Sequence, residues 1–313
     1  DDIGHLDSPQ RVLEDYQHAF VQAVDVELIR QAGFKVVIDH SNGSSAQVFP
    51  NLPALLGLAT VELNAGPNPR RFLTGNRGEQ AIVQLATIVK SLKADIGLML
   101  HPAAEKLMAV DEQGKPLDPQ LLLLIVTDLF LSTHQARRIA VPVGASMGVE
   151  QIADEYGVGV VRVAESHLAM MEIFQQPDVD FVGGTRGGFI FPGFQMGADA
   201  VFAAVKILEM LARTKQRLGS LRRKHDQFIR RTVSIPCPWS KKGRVMRRLI
   251  TDSVGKKRDL IDGVRIVDDG GWVLIRPDRV KASFNVTAES TSPEQAASLV
   301  ERYGKVVDEC QRD

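Results

Sequence analysis

The sequence predicts an α/β fold: two similar α/β domains with parallel or mixed sheets, followed by a small α+β C-terminal domain. In the first two thirds, short apolar strands alternate with longer helices, which is typical of right-handed βαβ units. The alternation runs once and then restarts, which indicates two such domains. From residue 229 onward, closely spaced strands lie between two helices, which favours an antiparallel sheet. The predicted domain ranges are 1–117, 118–228 and 229–313.

The first domain begins with a predicted helix. Ser8 is a typical N-cap, Pro9 suits the first helical position, and Gly33 ends the apolar stripe that follows. The apolar run 34–39 then predicts a buried parallel strand. The further elements predicted up to residue 131 are a helix over 46–56, a strand over 60–64, a helix over 78–92, strands over 95–100 and 107–110, and a helix over 119–131 that follows the first domain boundary.

The same periodicities predict the elements of the remaining two domains. In the second domain they are strands over 138–143, 159–163 and 180–182 and helices over 148–156, 167–174 and 196–212. In the third they are strands over 231–235, 263–267, 272–275 and 281–287 and helices over 242–251 and 293–307.

Composition sets broad limits on the class of protein. The 313 residues are 44% hydrophobic and 24% charged, with 38 basic and 38 acidic side chains, as in ordinary globular proteins. Two cysteines, Cys237 and Cys310, cannot build a disulfide framework and suit a reducing cytoplasm. No apolar run approaches the ~20 residues of a membrane span, so no membrane partner is expected. No secretion leader precedes Ile3, and the absence of an initiator Met suggests a piece of a longer protein.

A basic stripe, residues 213–258, is hidden by the neutral total. It has sixteen basic residues against Asp226 and Asp252, a local net charge of about +14. Three interpretations stay open: a solvated face balanced by acids elsewhere, docking onto an acidic surface of a partner subunit or neighbouring domain, and binding of nucleic acid or a nucleotide-type ligand. Nucleic acid is the least favoured, because no recognisable module or interleaved aromatic residues accompany the charge. The basic residues are Arg213, Lys215, Arg217, Arg222, Arg223, Lys224, Arg230, Arg231, Lys241, Lys242, Arg244, Arg247, Arg248, Lys256, Lys257 and Arg258.

Five segments, in order, carry a family resemblance. They are Val-Val-Ile-Asp-His-Ser-Asn-Gly at 36–43, Ala-Asp-Ile-Gly-Leu-Met-Leu at 94–100, Val-Asp-Glu-Gln-Gly at 110–114, Phe-Val-Gly-Gly at 181–184 and Asp-Gly-Gly-Trp-Val-Leu-Ile-Arg-Pro at 269–277. In this order the chain resembles domains 2, 3 and 4 of the phosphohexomutase superfamily, which includes phosphomannomutase and phosphoglucomutase. The resemblance implies a fold of this type and three functional loops at matching positions.

The metal loop, residues 101–106, departs from the family pattern. Relatives have Asp-x-Asp-x-Asp-Arg there, since Mg²⁺ prefers hard oxygen ligands. This chain has His101, Ala103 and Glu105 at the aspartate positions and Lys106 at the arginine position. The resemblance implies Mg²⁺, but these side chains do not support it, so no cofactor and no metal are predicted. Zinc on His101 and Glu105 would need a third ligand that the loop does not supply.

The sugar loop, residues 184–189, has also changed. Relatives have Gly-Glu-x-Ser-Gly-His, in which the acid and the hydroxyl select the hexose. Here Thr185 replaces the acid, Gly187 the serine and Phe189 the histidine. Arg186 is either a candidate contact for a phosphate or carboxylate, or a surface arginine on a glycine-rich turn.

The phosphate loop, residues 276–282, matches the Arg-Pro-Ser-Gly-Thr-Glu-Pro loop of relatives. Arg276 is retained, but Asp278 puts a negative charge where a hydroxyl belongs, and Arg279 replaces the glycine. Arg276, Arg279 and Lys281 are therefore the candidate phosphate contacts, in a loop where phosphate binding is no longer implied.

Two functions follow from the resemblance. One is a phosphohexomutase-like module of sugar-phosphate or sugar-nucleotide metabolism, catalytically inactive by itself, which serves ligand binding, regulation or assembly. The alternative is part of an active phosphomannomutase whose phosphoserine domain lies upstream of Asp1, because no Thr-Ala-Ser-His-Asn-Pro-like loop occurs in these residues. A fusion to a sugar-1-phosphate nucleotidylyltransferase is a further hypothesis. The expected partners are a sugar phosphate or nucleotide and upstream domains; the sequence leaves the oligomeric state open.

Overall fold

The computed structural model of this chain describes residues 10–48, 50–68, 76–173, 176–268 and 270–312. The predicted cap at Ser8 and Pro9, the predicted helix end at Phe174 and the motif residue Asp269 lie outside these ranges. Within them the elements in chain order are α1 (Val12–Gln22), α2 (Val26–Ala32), β1 (Lys35–Asp39), α3 (Ser45–Val48), α4 (Leu52–Leu55), β2 (Ala59–Leu63), α5 (Asn76–Leu92), β3 (Ile96–Leu100), β4 (Leu107–Val110), α6 (Pro119–Thr133), β5 (Arg138–Pro142), α7 (Gly148–Glu155), β6 (Gly159–Val163), α8 (His167–Glu172), β7 (Val179–Gly183), β8 (Phe189–Ile190), α9 (Ala200–Thr214), α10 (Leu218–His225), β9 (Ile229–Pro236), α11 (Trp239–Asp252), β10 (Arg258–Asp259), β11 (Val264–Asp268), β12 (Gly271–Pro277), β13 (Ser283–Ser290) and α12 (Pro293–Arg312).

The described residues form two compact units. The first runs to Leu117 and includes Gly188–Gly219, and the second comprises Asp118–Gly187 together with the residues from Ser220 onward. The predicted fold class is confirmed, because both α/β patterns and the C-terminal α+β pattern are present. The three-domain division at residues 117 and 228 stays a prediction.

In the first unit a four-stranded mixed sheet has the order β2-β1-β3-β4. β1 pairs in parallel with β2 and β3, and β4 runs antiparallel to β3. Because side chains alternate across a sheet, Val37 and Met99 pack in the core with α5, while Ile38 and Leu98 lie on the other face with α9. Helix α9 is buried from Ala200 to Leu211, as expected for a helix that is apolar on most sides.

The second unit contains two sheets. In one, the parallel strands lie in the order β6-β5-β7, with the buried helix α6 packed against β7 and α7. The other is antiparallel with the order β10-β11-β12-β13-β9. Alternation along β12 sends Val273 and Ile275 into the core formed with α11 and α12, and sends Trp272 and Leu274 to the opposite face, where they pack with Val143.

Two predicted helices are each divided in the structure. The one expected to end at Gly33 is interrupted after α1, because the Asp25 carboxylate accepts a hydrogen bond from the Leu28 amide at 3.0 Å and starts α2 anew. Gly33 does end α2, with a φ of 62°. The helix predicted over 46–56 is two short helices, α3 and α4. Pro50 lies between them and Pro53 lies in the first turn of α4, as expected from the missing proline N–H.

Three elements were not predicted. The strands β8 and β10 have two residues each, too few to show a period. Helix α10 lies within the basic stripe, for which no helix was predicted. None of the helices within the described ranges has the length and apolar character needed to cross a bilayer.

Asp128 of α6 joins three side chains in the second unit. It accepts hydrogen bonds from His225 at 2.7 Å, Lys224 at 2.8 Å and Tyr156 at 3.0 Å, and it is 3% exposed. Burial by itself raises the pKa of Asp128, but the hydrogen bonds from His225 and Lys224 outweigh burial and lower it to about 2. The ionised carboxylate therefore stabilises the fold above its ordinary pKa, and this contribution is lost as the pH falls through about 2.

We expect Asp128→Asn to lower the free energy of unfolding at neutral pH by about 2–4 kcal/mol, because it removes the charge that three partners share. Denaturant unfolding measures the loss. The matched control is Asp226→Asn, which removes an exposed carboxylate beside α10 and should change stability by less than about 0.5 kcal/mol. Asp128→Asn should also lose less stability than the wild type when the pH is lowered from 4 to 2. An equal loss of stability in Asp128→Asn and the wild type over this pH range would contradict the lowered pKa of Asp128.

Candidate functional site

The metal loop belongs to the first unit and connects the antiparallel strands β3 and β4. The His101 amide donates to the Lys106 carbonyl at 2.8 Å, and Ala104 takes a φ of 53° in the turn. The turn after β1 approaches the loop closely: a Cβ at Gly43 would lie 2.3 Å from the Pro102 carbonyl oxygen. Glycine at 43 is thus required by sterics, which explains the Asn-Gly turn of the first family segment.

The side chains of the metal loop pair with one another. Glu105 Oε1 lies 2.8 Å from Lys106 Nζ and 3.8 Å from His101 Nδ1. Burial lowers the pKa of His101, the Glu105 charge raises it and the Lys106 charge lowers it, with a net lowering that favours the neutral imidazole. In the described ranges no three His, Cys, Asp or Glu side chains are grouped so as to hold a metal ion. One carboxylate held by a lysine does not fit the oxygen-rich octahedral coordination of Mg²⁺.

The first part of the sugar loop follows β7 in the second unit. Thr185 is buried and donates from Oγ1 to Glu165 Oε1 at 2.6 Å. Arg186 is exposed, with Nε 4.0 Å from the same Glu165 oxygen. Gly187 has a φ of 82°, so the residue that replaces the family serine adopts a conformation that favours glycine.

Glu165 links the sugar loop to the phosphate loop, and it was not predicted as a site residue. Its second oxygen accepts a hydrogen bond from Arg276 Nη1. Burial raises the pKa of Glu165. The Thr185 hydrogen bond and the charges of Arg276 and Arg186 lower this pKa by more than burial raises it, so the net shift is downward. Because β6 and β7 are parallel and on either side of β5, the residues after their carboxyl ends share one edge of the sheet. The position of Glu165 just after β6 is therefore the feature of the sequence that could have indicated a site residue.

Acidic partners already neutralise much of the positive charge of the phosphate loop. Arg276 lies between Glu165 and Asp262, whose Oδ2 is 3.5 Å from Nη1. Arg279 is 76% exposed in its side chain and lies 3.4 Å from Asp262. Lys281 is exposed. The structure thus brings Thr185, Arg186, Arg276 and Arg279 together around two carboxylates.

Asp278 occupies the backbone donors of its own loop. Its Oδ1 accepts hydrogen bonds from the amides of Val280 and Lys281, both at 2.8 Å, and its Oδ2 accepts one from Asn285 at 3.1 Å. These hydrogen bonds lower the pKa of Asp278 to about 2. Consecutive N–H groups of this kind form an anion-binding nest when they face a ligand. Here the bound anion is a side chain of the loop itself.

Lys242 of α11 stabilises the same loop through its main-chain carbonyl groups. It is buried, and its ammonium donates to the carbonyl oxygens of Asp278 at 2.5 Å and Lys281 at 2.6 Å while it stacks on Trp239. The loop conformation that points the Asp278 carboxylate at the amides is therefore fixed on two sides.

Much of the basic stripe is engaged in intramolecular contacts. Lys241 and Arg244 donate to the Gln311 carbonyl at the end of α12, and Arg258 donates to the Ile250 carbonyl near the end of α11. Cations at helix C-termini also complement the helix dipole. These contacts account for part of the stripe within its own fold; the proposals of an acidic partner or a nucleic acid stay predictions.

Comparison with known proteins matches this architecture. The model of phosphoglucomutase/phosphomannomutase α/β/α domain II matches residues 14–114, and that of domain III matches residues 118–228. Together they cover more than half of the chain, which therefore belongs to the α-D-phosphohexomutase superfamily.

Individual relatives agree with this assignment. A probable phosphoglucosamine mutase of Pyrococcus abyssi is 28% identical over 292 residues, which are 92% of this chain and 64% of the relative. The chain thus spans a little under two thirds of the length of such relatives. A phosphoglucomutase/phosphomannomutase family protein of Burkholderia thailandensis superposes with a TM-score of 0.82 at 18% identity, covering 96% of this chain and 65% of that one. The Aspergillus fumigatus N-acetylphosphoglucosamine mutase, solved with GlcNAc-6P and magnesium, has a TM-score of 0.63 at 13% identity, covering 94% of this chain and 69% of its own. These two structures support the fold.

Proposed function

We propose that this chain is a phosphohexomutase-like module of sugar-phosphate or sugar-nucleotide metabolism that does not transfer phosphoryl groups by itself. It serves ligand binding, regulation or the assembly of a larger protein. The observation that carries this proposal concerns Asp278. Its carboxylate accepts hydrogen bonds from the Val280 and Lys281 amides, which would otherwise be available to a phosphate.

The metal loop supports the same conclusion. A phosphoryl transfer needs a metal ion or equivalent charges to stabilise the negative oxygens in the transition state. Glu105 is held by Lys106, and His101 is an imidazole in place of a carboxylate. The chain's own residues therefore do not provide the charge arrangement for this step, and we propose that the loop does not bind Mg²⁺.

The proposed ligand is a sugar phosphate, with a nucleotide as the second choice. The Aspergillus relative is described with GlcNAc-6P. In this chain Arg186 and Arg279, both largely exposed, are the cations placed to meet a phosphate. Weak binding is expected, because Glu165 and Asp262 compete for the same guanidinium groups.

We expect isothermal titration to show no saturable Mg²⁺ binding below about 10 mM, since a single paired carboxylate gives weak coordination. A coupled mutase assay with hexose 1-phosphate should show no turnover. Glu105→Ala should change neither result. The matched control is Glu27→Ala, which removes an exposed carboxylate of α2. Turnover that Glu105→Ala abolishes and Glu27→Ala retains would overturn the proposal.

The alternative is an active phosphomannomutase-like enzyme that receives its phosphoserine from residues outside this chain. It is favoured by the length of relatives named as mutases, of which this chain covers about 64%, and by Arg276, which the resemblance implies as a phosphate contact. The same assay on the longest natural form of the protein decides between the two. Turnover there, with the chain alone inactive, would establish the alternative. A fusion to a nucleotidylyltransferase stays a prediction.

A further inference from the structure

The second unit contains a groove that is separate from the phosphate loop. It lies between α7 and β6 on one side and β10, β11 and β12 on the other, and its volume is about 420 Å³. That volume is in the range of small-molecule sites. Met147, Ile261 and Trp272 provide its apolar surface, and Arg162, Arg265 and Lys257 its positive charges. We call it the Arg265 groove.

Arg162 has no hydrogen-bonding capacity left for a ligand. Its guanidinium binds both oxygens of Glu150, at 2.8 and 2.7 Å. Its remaining donors meet four main-chain carbonyls, those of Pro142, Val143, Ala145 and Ser146. Arg162 and Glu150 therefore form an ion pair in which the arginine has no free donor and the two charges offset each other.

Arg265 is very different, although it is equally buried. It is 5% exposed, and the one hydrogen bond of its side chain among the described residues is donated from Nη1 to Asp259 at 3.2 Å. Its Nε is buried without a hydrogen-bond partner in the same residues. An arginine has five N–H donors, and a buried donor without a partner costs about 1–3 kcal/mol. Such a group in a native fold calls for an explanation.

The position of Arg265 is fixed while its polar end is left underused. Its guanidinium lies 4.9 Å from the centre of the Trp272 ring, and β11 holds its backbone opposite Leu274 of β12. Burial and the Arg162 charge lower the pKa of Arg265, whereas Glu150 and Asp259 raise it. Arginine nevertheless remains protonated at any physiological pH. A fixed, charged and incompletely bonded guanidinium is preorganised for an oxyanion.

We propose that the Arg265 groove binds a small ligand through an oxyanion, either a carboxylate or a phosphate monoester, with Arg265 as the principal contact. The oxyanion takes the place of Asp259, whose side chain is 37% exposed and can return to solvent. Lys257 lies exposed at the groove and adds a second positive charge. Asp154 and Asp259 add negative charge to the lining, which favours ligands with one oxyanion over polyanions.

Trp272 makes the binding measurable. The chain has two tryptophans, Trp239 and Trp272, so Trp239→Phe leaves Trp272 as the single fluorophore. In that background, inorganic phosphate and acetate are titrated separately at constant ionic strength with chloride. We expect a saturable change in Trp272 fluorescence with at least one of them, and the stronger response identifies the oxyanion class. No saturable response to either would overturn the proposal.

Two variants locate the site. Arg265→Lys keeps the charge but loses the planar fork, and we expect at least tenfold weaker binding. Because Arg265 is buried, Ile261→Glu supplies a second test: it adds a negative charge at a residue that is 44% exposed in the groove, and we expect a similar loss. Arg279→Gln, in the phosphate loop, should keep the affinity within about twofold. Wild-type affinity in both groove variants, or a loss caused by Arg279→Gln alone, would place binding elsewhere and overturn the proposal.

Discussion

Replacing Glu289 with alanine should lower the free energy of unfolding by about 3–5 kcal/mol, since it leaves a half-buried cation and several buried donors without their acceptor. Glu289 of β13 is 1% exposed. Its Oε1 accepts hydrogen bonds from Ser146 Oγ, the Met147 amide and Trp272 Nε1, at 2.8–3.0 Å. Its Oε2 accepts one from Arg230 at 3.0 Å.

The effect should be large because the partners come from distant parts of the chain. Ser146 and Met147 precede α7, whereas Arg230 and Trp272 belong to the antiparallel sheet. Arg230 also donates a hydrogen bond to the Gly144 carbonyl and stacks on Trp272, so these contacts hold its guanidinium beside Glu289. A carboxylate that meets four donors holds the parallel sheet of this unit against the antiparallel one.

Denaturant unfolding measures the loss, with Glu301→Ala as the matched control. Glu301 pairs with Lys305 on the exposed side of α12, and its removal should cost less than about 0.5 kcal/mol. Glu289→Gln keeps the volume but points an amide at Arg230 or at the other donors, so we expect an intermediate loss. A loss below about 1 kcal/mol for Glu289→Ala would show that the joint does not depend on this carboxylate.

Several strands of the two α/β patterns could be predicted because their signal is local. Three strands begin and end within one residue of their predicted bounds, since each is an apolar run bounded by turn residues. They are Gly159–Val163, Arg138–Pro142 and Leu107–Val110. Local competition between backbone and side chains limited the helices instead. Asp25 capped a new helix inside a continuous apolar stripe, and proline divided the helix predicted over 46–56.

The charges that decide the chemistry of the site could be predicted only in part. The sequence showed that Asp278 opposes a phosphate, but not that its carboxylate fills the nest, because that depends on the turn formed by residues 278–281. Glu165 and Glu289 were missed altogether. Glu165 pairs with Arg276, which lies 111 positions away in the sequence, and Glu289 pairs with Arg230, which lies 59 positions away. Such pairings require the packing of two sheets, which no single segment encodes.

The nest explains why the phosphate loop is the most informative place to change this protein. Asp278→Ser restores the hydroxyl that relatives have at this position and removes the carboxylate that binds the Val280 and Lys281 amides. Two N–H donors become available and a like charge is lost. We therefore expect the affinity for a hexose 6-phosphate to rise about tenfold, which corresponds to about 1.4 kcal/mol.

Titration calorimetry at fixed ionic strength measures this gain. Asp308→Ser removes the same charge from the exposed surface of α12 and should change the affinity by less than about twofold. The gain should persist when Ile261→Glu is added, because that variant acts at the Arg265 groove. An equal gain in Asp308→Ser would indicate a net-charge effect and contradict the role of the nest.

The pKa of Asp278 provides an independent check. Since hydrogen bonds from the Val280 and Lys281 amides hold this pKa at about 2, the carboxylate stays ionised and the nest stays filled throughout the range from pH 5 to 8. Acidification within that range cannot open the wild-type loop, because protonation begins only near the lowered pKa. Asp278→Ser should therefore still bind the hexose 6-phosphate more tightly than the wild type at pH 5, with a gain that is smaller than at pH 8 only because the phosphate loses its second negative charge below a pKa of about 6. A difference that disappears at pH 5 would mean that the carboxylate titrates far above this value and is not held by the loop amides.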